Sequence, residues 1–398
     1  MRFDTTSVPM SKSSLVLSAA LALVASACCA STGSGGVRVD TGAKAAGPST
    51  GSGGVHVDSG AKVADGALTS GLPTPPGAAN LPRPSGAPGN LKVLDWAGFK
   101  SAVSYTFDDG QRSHIEHYAE LQATGVRLTF FVNSGSMTGE TDLVSTFSQA
   151  ARDGHEIGNH TAHHCHADPD GTLHGAAPQT ACSGTSAGAD LDECTAFIKS
   201  TLGASQVWTA ASPFGDQGFD AAAGERFFLN RSAAGGSVAP SDDTNPFHLP
   251  MWEPAENDTV EKFDAALDRS HAAGRWLIML LHSIAPTTSR LYATVDISAV
   301  TGSIVHAKSL GDVWIDSMAN VGAYWRGQKV LSAVTPTTSG ATQTSTWTWT
   351  LPAHFPTGRT LRVRMDGGTL SQGGKTLPWD GHGYYEIALD AGALTLSP

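Results

Sequence analysis

Two short clusters of chemically capable side chains stand out in the sequence, and each follows an apolar segment. The first holds two adjacent carboxylates, Asp108 and Asp109, which come after the apolar run 103–107 and before a glycine. The second holds two imidazoles four residues apart, His160 and His164. Two histidines and one carboxylate are a ligand set found in catalytic zinc sites. The two clusters together therefore indicate a divalent metal site.

Local patterns predict how these clusters are presented. The run 103–107 is typical of a buried strand, and the carboxylates would lie at its end in a glycine turn. A spacing of four places His160 and His164 on one face of a helical turn. Taken singly, such a histidine pair is also typical of a solvated helix face, and Asp-Asp-Gly of an ordinary turn. Because both clusters follow neighbouring apolar segments, a shared metal site stands beside these alternatives with equal weight.

Several segments resemble the polysaccharide deacetylases, the NodB-homology family that is also called carbohydrate esterase family four. The resemblance extends over about residues 93–324, and the motifs keep the order and spacing of the family. In chain order, the segments that carry it are Thr106-Phe107-Asp108-Asp109-Gly110, Leu128-Thr129-Phe130-Phe131-Val132, His160-Thr161-Ala162-His163-His164, Ser212-Pro213-Phe214-Gly215 and Leu280-Leu281-His282.

The resemblance implies an α/β fold, specifically a distorted (β/α) barrel of the polysaccharide deacetylase type. It also implies that Asp109, His160 and His164 bind a divalent metal, for which Zn²⁺ is expected. Three protein ligands leave a position for water, and the metal would lower the pKa of that water and polarise an acetyl carbonyl.

The same resemblance assigns roles to residues around the metal. Asp108 would be the base that takes a proton from the attacking water, and His282 the acid that protonates the leaving amine or alcohol. The backbone N–H of Phe214, which follows Pro213, would complete an oxyanion hole in the substrate groove. The implied reaction is hydrolysis of an N- or O-acetyl group on a carbohydrate polymer.

Two positions depart from the family pattern. Ala211 stands where the third motif usually carries the arginine that holds the catalytic aspartate. The Asp-Trp pair of the fourth motif has no clear match between Phe214 and His282, and Asp312-x-Trp314 comes after His282. The sequence therefore does not identify the side chains that orient Asp108 and His282.

Composition limits the classes of partner. The chain has 398 residues and a formal net charge of −11, and its lysines and arginines form no cluster. This balance excludes nucleic acid and anionic membrane surfaces as expected partners. The family resemblance implies an acetylated polysaccharide or oligosaccharide as the substrate. A monomer is expected.

An export signal is predicted over residues 1–30. Lys12 precedes an apolar segment, Leu15–Val24, that is too short to span a bilayer, and Ala25-Ser26-Ala27 offers a small-residue cleavage site. A lipid anchor on Cys28 is the alternative to cleavage. Both predict a secreted or cell-envelope protein.

Residues 31–90 are predicted to be a linker rich in Gly, Ser and Pro. The segment 31–40 recurs nearly unchanged at 49–58, and two copies are too few for a repeat fold. The linker would hold a folded domain away from a membrane or wall, and a duplication without function is the alternative.

Residues 91–328 alternate between strand and helix patterns, as in a parallel barrel. In such barrels the reacting groups lie at the carboxyl ends of strands. The predicted elements are strand Ala102–Phe107, helix Ser113–Ala123, strand Arg127–Val132, helix Leu143–Asp153, strand Gln206–Ala210, strand Trp276–Leu281, helix Ser298–Leu310, strand Asp312–Ile315 and helix Ser317–Arg326. Asp108, Phe214 and His282 follow three of these strands and should therefore share one rim.

Residues 329–398 are predicted to form a small all-β, sandwich-like module. Thr346-Trp347-Thr348-Trp349 and Leu361-Arg362-Val363-Arg364 alternate as strands do, with glycine turns at 367–368 and 373–374. Its tryptophans are expected to fill its own core, and carbohydrate binding is the alternative.

Three cysteines follow the predicted signal, so an exported chain would form one disulfide and leave one thiol. Cys165 pairs with Cys182, or Cys182 with Cys194; zinc binding by Cys165 is a further alternative. Two other functions compete with the deacetylase hypothesis. They are hydrolysis of a small amide that is not a polysaccharide, and a catalytically silent barrel that binds glycan.

Overall fold

The structure is a computed structural model that describes residues 71–175, 182–289 and 291–398. The predicted export signal, Cys28 and the linker repeat lie outside the described residues. Within the described part of the chain, no helix has both the length and the apolar character needed to cross a membrane.

Residues 92–332 alternate between strands and helices. The strands are β1 (Lys92–Val93), β2 (Ser101–Phe107), β3 (Thr129–Val132), β4 (Glu156–Asn159), β5 (His166–Ala167), β6 (Leu173–His174), β7 (Thr209–Ala211), β8 (Leu229–Gly235), β9 (Leu249–Met251), β10 (Trp276–Leu281), β11 (Ile284–Ala285), β12 (Val295–Asp296) and β13 (Val313–Ile315). The helices are α1 (Arg112–Glu116), α2 (Tyr118–Ala123), α3 (Ser134–Met137), α4 (Thr141–Arg152), α5 (Ala187–Ser200), α6 (Asp220–Gly224), α7 (Val260–Ala272), α8 (Ile297–Ser309) and α9 (Met318–Ser332).

Seven parallel strands form a nearly closed barrel, which confirms the predicted fold class. Their order around the barrel is β10, β2, β3, β4, β7, β8 and β9, and β13 pairs with the first half of β2. The ring closes at Trp252, just after β9, which forms a parallel bridge with Met279 of β10. There the Trp252 N–H donates to the carbonyl of Ile278 at 2.8 Å.

The apolar sequence of β10 explains its central place. All six of its residues are buried. Trp276, Ile278 and Leu280 belong to the core cluster inside the barrel, whereas Leu277 and Met279 pack in the cluster that the helices cover. A strand buried on both faces needs a continuous apolar run, as the sequence predicted.

The predicted elements are confirmed apart from shifts at their ends, with one exception. The helix predicted over Ser113–Ala123 is two helices, α1 and α2, which meet at His117. The His117 ring contacts Glu120 Oε2 at 2.7 Å and the Pro286 carbonyl at 2.9 Å. These contacts hold the break in place, and sequence periodicity cannot reveal them.

The C-terminal module is all-β, as predicted. Its strands are β14 (Thr337–Thr338), β15 (Ser345–Thr348), β16 (Thr360–Arg364), β17 (Thr369–Gln372), β18 (Lys375–Thr376), β19 (Tyr385–Ala388) and β20 (Ala393–Ser397). One antiparallel sheet has the order β1-β16-β19 and the other β14-β15-β20-β17-β18. Trp347 and Trp349 are buried, so these tryptophans fill the module's core as expected. Residues 71–90, predicted as the end of the linker, bond to this module, for example from Leu81 N to the Gly381 carbonyl at 2.8 Å.

Helix α9 lies between the barrel and the module. A Cβ at Gly322 would come within 2.1 Å of Leu229 in the barrel, and a Cβ at Gly327 within 2.5 Å of Leu389 in the module. Side chains are therefore excluded at both positions, and the helix can approach both neighbours closely.

A buried histidine at the start of β4 makes stability depend on pH. The Nδ1 of His155 accepts a hydrogen bond from the Leu128 N–H at 3.0 Å, and Nε2 contacts Gln122. Burial lowers the pKa of His155 from 6.5 to about 4. The folded state therefore resists a proton that the unfolded chain accepts, so this contribution to stability is complete above pH 6.5 and is lost as the pH falls toward 4.

We expect acid to destabilise the protein through this residue. The difference between 6.5 and about 4 amounts to about 3 kcal/mol at about 1.4 kcal/mol per pH unit. Urea unfolding at pH 7.5 and pH 4.5, with chelator present, should show a smaller loss for His155→Gln than for the wild type. His306→Gln, a histidine of α8 that pairs with Asp268, is the control. Equal losses in all three proteins would contradict the assignment.

Candidate functional site

The predicted metal ligands meet at the carboxyl ends of two barrel strands. Asp109 follows β2, and His160 and His164 follow β4, with β3 between the two strands. Asp109 Oδ1 lies 3.3 Å from Nε2 of His160 and 3.3 Å from Nε2 of His164. One ligand atom from each residue lies within 4.8 Å of the others, as a single ion requires. The structure thus brings together the three residues that the sequence indicated.

The helical turn predicted for the two histidines is wrong. His160 directly follows β4, and residues 161–164 form a loop in which Thr161 and His164 adopt left-handed φ values of 65° and 51°. Side chains from the same turn hold the loop. The Thr161 N–H donates to Asn159 Oδ1 at 2.8 Å, and the His164 N–H donates to Thr161 Oγ1 at 3.0 Å. The two imidazoles converge because the chain reverses here, and not because they share a helix face.

The donor set fits a divalent metal. Nδ1 of His160 lies 2.9 Å from the carbonyl of Ala211, so it carries the proton and leaves the lone pair of Nε2 free for a metal. Asp109 Oδ1 is buried and has no hydrogen-bond partner among the described residues. A buried carboxylate oxygen without a partner is costly, and a cation bound there would satisfy it.

Electrostatics in the cluster favour a charged carboxylate. Burial by itself would raise the pKa of Asp109, but the imidazoles of His160 and His164, each with Nε2 3.3 Å from Oδ1, hold that pKa far below its usual range. Burial works against a charged His160, yet the charge of Asp108 and the contact with Asp109 raise the pKa of His160. A divalent cation bound by Asp109, His160 and His164 would replace the proton that the carboxylates of Asp108 and Asp109 attract to this cluster.

Asp108 lies beside the metal ligands and pairs with an arginine that the sequence did not indicate. Its Oδ2 accepts a hydrogen bond from Nη2 of Arg231 on β8, and both side chains are buried. The same oxygen lies 3.7 Å from Nε2 of His160. Arg231 is the register partner of Ala211 on the neighbouring strand β7. The third motif of the family usually has an arginine where this chain has Ala211. Here Arg231 supplies the positive charge from the neighbouring strand, β8.

His282 follows β10 and faces a second residue that the sequence did not indicate. Nδ1 of His282 lies 3.0 Å from Oε1 of Glu253, which follows β9. The carbonyl of His282 accepts a hydrogen bond from Nε2 of the buried His114 at 2.6 Å. The backbone of His282 is thus held by a hydrogen bond, and its ring faces Glu253, which takes the place expected of the fourth motif's aspartate.

Phe214 presents its backbone to the same space. It follows β7 and Pro213 and has a left-handed φ of 56°, an uncommon conformation for a non-glycine residue that is often found at functional sites. Its N–H donates to no backbone carbonyl of the described residues. The next residue must be glycine, because a Cβ on Gly215 would lie 2.4 Å from the nitrogen of Ala233.

All these groups line one cavity of about 480 Å³. It is open to solvent and lies at the rim where the strands end. Its walls include Asp108, Asp109, His160, His164, Phe214, Arg231, Glu253, Leu280, His282 and Tyr292. A metal site, a carboxylate, an imidazole and a free backbone N–H in one cavity can support hydrolysis of an acyl group.

A disulfide joins Cys165 to Cys182, and Cys194 is a buried free thiol. This settles the pairing that the sequence left open. Zinc binding by Cys165 is excluded, because its sulfur is already bonded. The bridge begins at the residue after His164 and thereby anchors the loop that carries the histidines.

Arg231 and Glu253 each had a weak signal in the sequence. Arg231 follows the apolar run Phe227-Phe228-Leu229, and Glu253 follows Met251-Trp252. A charged residue shortly after an apolar run is the same pattern that identified Asp108. Neither residue was predicted, because the motifs of the family place the corresponding charges at other positions.

Comparison with known proteins finds one family model that matches part of the chain. Residues 98–226 match the family model described as polysaccharide deacetylase. That segment contains Asp108, Asp109, His160, His164 and Phe214, whereas His282 lies beyond it. No curated protein is similar enough to count as a match.

Among solved structures of low similarity, three are described as members of carbohydrate esterase family four. The Xyl-CE4 domain of a multidomain xylanase from the hindgut metagenome of Trinervitermes trinervoides is 17% identical over 55% of this chain and 88% of that chain, with a TM-score of 0.35. A family 4 acetyl xylan esterase from Clostridium thermocellum is 16% identical over 55% and 89%, also at 0.35. A CE4 family pseudoenzyme from Bacillus anthracis is 16% identical over 55% and 64%, with a TM-score of 0.35.

Identities and TM-scores this low support no conclusion about activity or substrate. The likeness to the family rests on the match of the family model, and the geometry of the barrel and its rim agrees with it. Residues 98–226 of this chain therefore form a segment of the polysaccharide deacetylase type.

Proposed function

We propose that the protein is an exported, metal-dependent deacetylase that removes N- or O-acetyl groups from a carbohydrate polymer. One observation carries the proposal: Asp109, His160 and His164 converge beside Asp108 and His282 in one solvent-open cavity. The match of the family model supports carbohydrate deacetylation as the reaction. The Cys165–Cys182 disulfide is consistent with export, because such bonds persist in oxidising compartments.

Asp109, His160 and His164 would hold the metal, for which Zn²⁺ is the best fit to two imidazoles and a carboxylate. When bound, a divalent metal supplies Lewis-acid polarisation and lowers the pKa of water. The chain fixes the ligands beforehand, since the Ala211 carbonyl orients His160 and the disulfide anchors the loop after His164.

Asp108 is placed to act as the base. Its Oδ2 lies 3.7 Å from the metal-facing nitrogen of His160, while its Oδ1 is buried and has no partner among the described residues. Arg231 donates to the same oxygen, Oδ2, and so fixes the orientation of the carboxylate. Asp108 can therefore take a proton from the attacking water at the acetyl carbon.

His282 is placed to act as the acid. Glu253 lies at Nδ1, which leaves Nε2 for the leaving group. The imidazolium of His282 would give its Nε2 proton to the departing amine or alcohol and become neutral. The Phe214 N–H would donate to the oxygen that gains charge in the transition state.

Acetate release by the metal-loaded protein tests the proposal. Chitooligosaccharide and acetylated xylan should be compared side by side, each with Asp108→Asn, His282→Ala and a chelated sample. We expect release from at least one glycan and a fall of about 100-fold or more in each variant. His306→Ala, on the surface of α8, serves as the matched histidine control and should behave as wild type.

The outcomes separate the competing functions. Release that persists in both site variants would contradict the assigned roles. Hydrolysis of a small acetyl amide without any release from glycans would favour a small-molecule amidohydrolase. Retention of bound metal with no hydrolysis of any substrate would favour a silent, glycan-binding barrel.

A further inference from the structure

Large apolar side chains stand exposed at the mouth of the cavity. The described residues include five large hydrophobic side chains with high exposure: Leu81, Phe214, Leu291, Tyr292 and Val305. Phe214 is 53% exposed and Tyr292 is 66% exposed, and both line the cavity. Leu291, next to Tyr292, is exposed as well. Exposed apolar side chains that cluster at a cavity mark a surface that binds a ligand.

The two rings lie on opposite sides of the mouth. Phe214 follows β7, and Tyr292 contacts His282, which follows β10. In the seven-stranded ring, β7 is four strands from β10 in one direction and three in the other. A ligand that crosses the mouth from one side to the other therefore meets both rings.

Each ring packs against a histidine of the site region. The Phe214 ring stacks on the His166 ring with centroids 3.7 Å apart, and His166 Nδ1 bonds to Asp216 Oδ2 at 2.9 Å. Tyr292 packs edge-on against His282 with centroids 5.0 Å apart. Its carbonyl accepts a hydrogen bond from Ser283 N at 3.4 Å. Ring positions restricted by such contacts lower the cost in conformational entropy when a ligand binds.

The charges around the mouth favour an uncharged ligand. Of the described residues that line the cavity, Arg231 is the one lysine or arginine, and it is buried and paired with Asp108. Asp109 and Glu253 are negative, and a divalent metal bound by Asp109 would offset that charge. A polymer with carboxylates on neighbouring units would therefore find no free side-chain cation among these residues to pair with.

We propose that an uncharged glycan chain crosses this mouth, with one sugar ring against Phe214, another against Tyr292 and the acetylated unit between them. The apolar C–H faces of pyranose rings suit such aromatic surfaces. The protein would then act on internal units of a chain in preference to single sugars. This inference rests on the proposed function, and Tyr292 is its specificity-determining residue.

The test compares a length series of the neutral glycan from which the wild type releases acetate, from monomer to hexamer. We expect kcat/KM to rise with length and mass spectrometry to find the first lost acetyl on an internal unit. Tyr292→Ala should reduce the hexamer-to-monomer ratio of kcat/KM about tenfold, mainly through KM. Tyr292→Phe should restore the ratio, and Val305→Ala on α8 is the control for loss of an exposed apolar side chain.

A binding measurement keeps this inference separate from the proposed function. Asp108→Asn protein should bind the hexamer about tenfold more weakly when Tyr292→Ala is added. That loss would support the aromatic clamp even if the wild type released no acetate, a result that would overturn the proposed function alone. If Tyr292→Ala changed neither the hexamer-to-monomer ratio of kcat/KM nor the binding of the hexamer, the proposed contacts of the glycan with Phe214 and Tyr292 would be overturned. They would also be overturned if the protein dimerised and Tyr292→Ala abolished the dimer, since the rings would then belong to an interface between copies.

Discussion

Replacing Arg231 with methionine is expected to lower kcat for acetate release by about 100-fold or more and to destabilise the protein by about 3–5 kcal/mol. The guanidinium donates to Asp108, and both side chains are almost wholly buried. Methionine fills similar space but leaves a buried carboxylate without its counter-ion. The base then loses both its charge partner and its orientation.

Two measurements check this expectation: acetate release at saturating substrate, and urea unfolding. Arg226→Met is the matched control, because Arg226 also pairs with an aspartate, Asp192, but does so where that carboxylate is exposed. Removing this surface pair should cost less than about 1 kcal/mol and leave kcat unchanged. Arg231→Met with full activity would show that Asp108 needs no cation.

A relocation of the arginine tests the same idea more sharply. Ala211 and Arg231 are register partners on adjacent strands, and the family's third motif usually has arginine at the position of Ala211. Arg231→Ala opens space beside Ala211. Adding Ala211→Arg to that variant should recover at least about tenfold in kcat, because the guanidinium can reach Asp108 from the neighbouring strand. Ala211→Arg alone should not improve the wild type, since the space is filled.

The sequence predicted those site residues that lie directly after the ends of barrel strands. β2 and β10 are buried along their whole length, and each passes directly into a polar residue, Asp108 or His282. Parallel strands bring such groups to one edge, so the rim could be predicted without knowledge of any long-range contact. The disulfide was open to two pairings because spacing alone favours neither.

What the sequence did not reveal depends on contacts between distant segments. The requirement at Asp108 is for a buried cation, and a cation on β8 meets it as well as one on β7. A family motif specifies the sequence position of a residue. The electrostatic requirement at Asp108 specifies only where in space a positive charge must lie. The loop of His160 and His164 was missed for a related reason, because a spacing of four fits both a helical turn and a left-handed reversal at Thr161.

The role of His282 as the acid is expected to depend on Glu253. A comparison of two substrates with different leaving groups tests that dependence. Glu253→Gln keeps the size of the side chain but removes the charge 3.0 Å from Nδ1 of His282. We expect kcat for an acetylated glycan to fall about 100-fold, because the leaving amine or alkoxide needs a proton. Hydrolysis of p-nitrophenyl acetate should fall less than about tenfold, because nitrophenolate leaves without one.

The contrast between the two substrates distinguishes Glu253 from the groups on the other side of the cavity. Arg231→Met should slow both substrates by a similar factor, since attack by water on either acetyl carbon requires Asp108. Bound metal, measured in each variant, should remain at the wild-type level, because Glu253 is not among the three converging ligands. If Glu253→Gln slowed both substrates equally, Glu253 would serve attack or binding, and His282 would not be the acid. A selective loss with glycan would place protonation of the leaving group at His282.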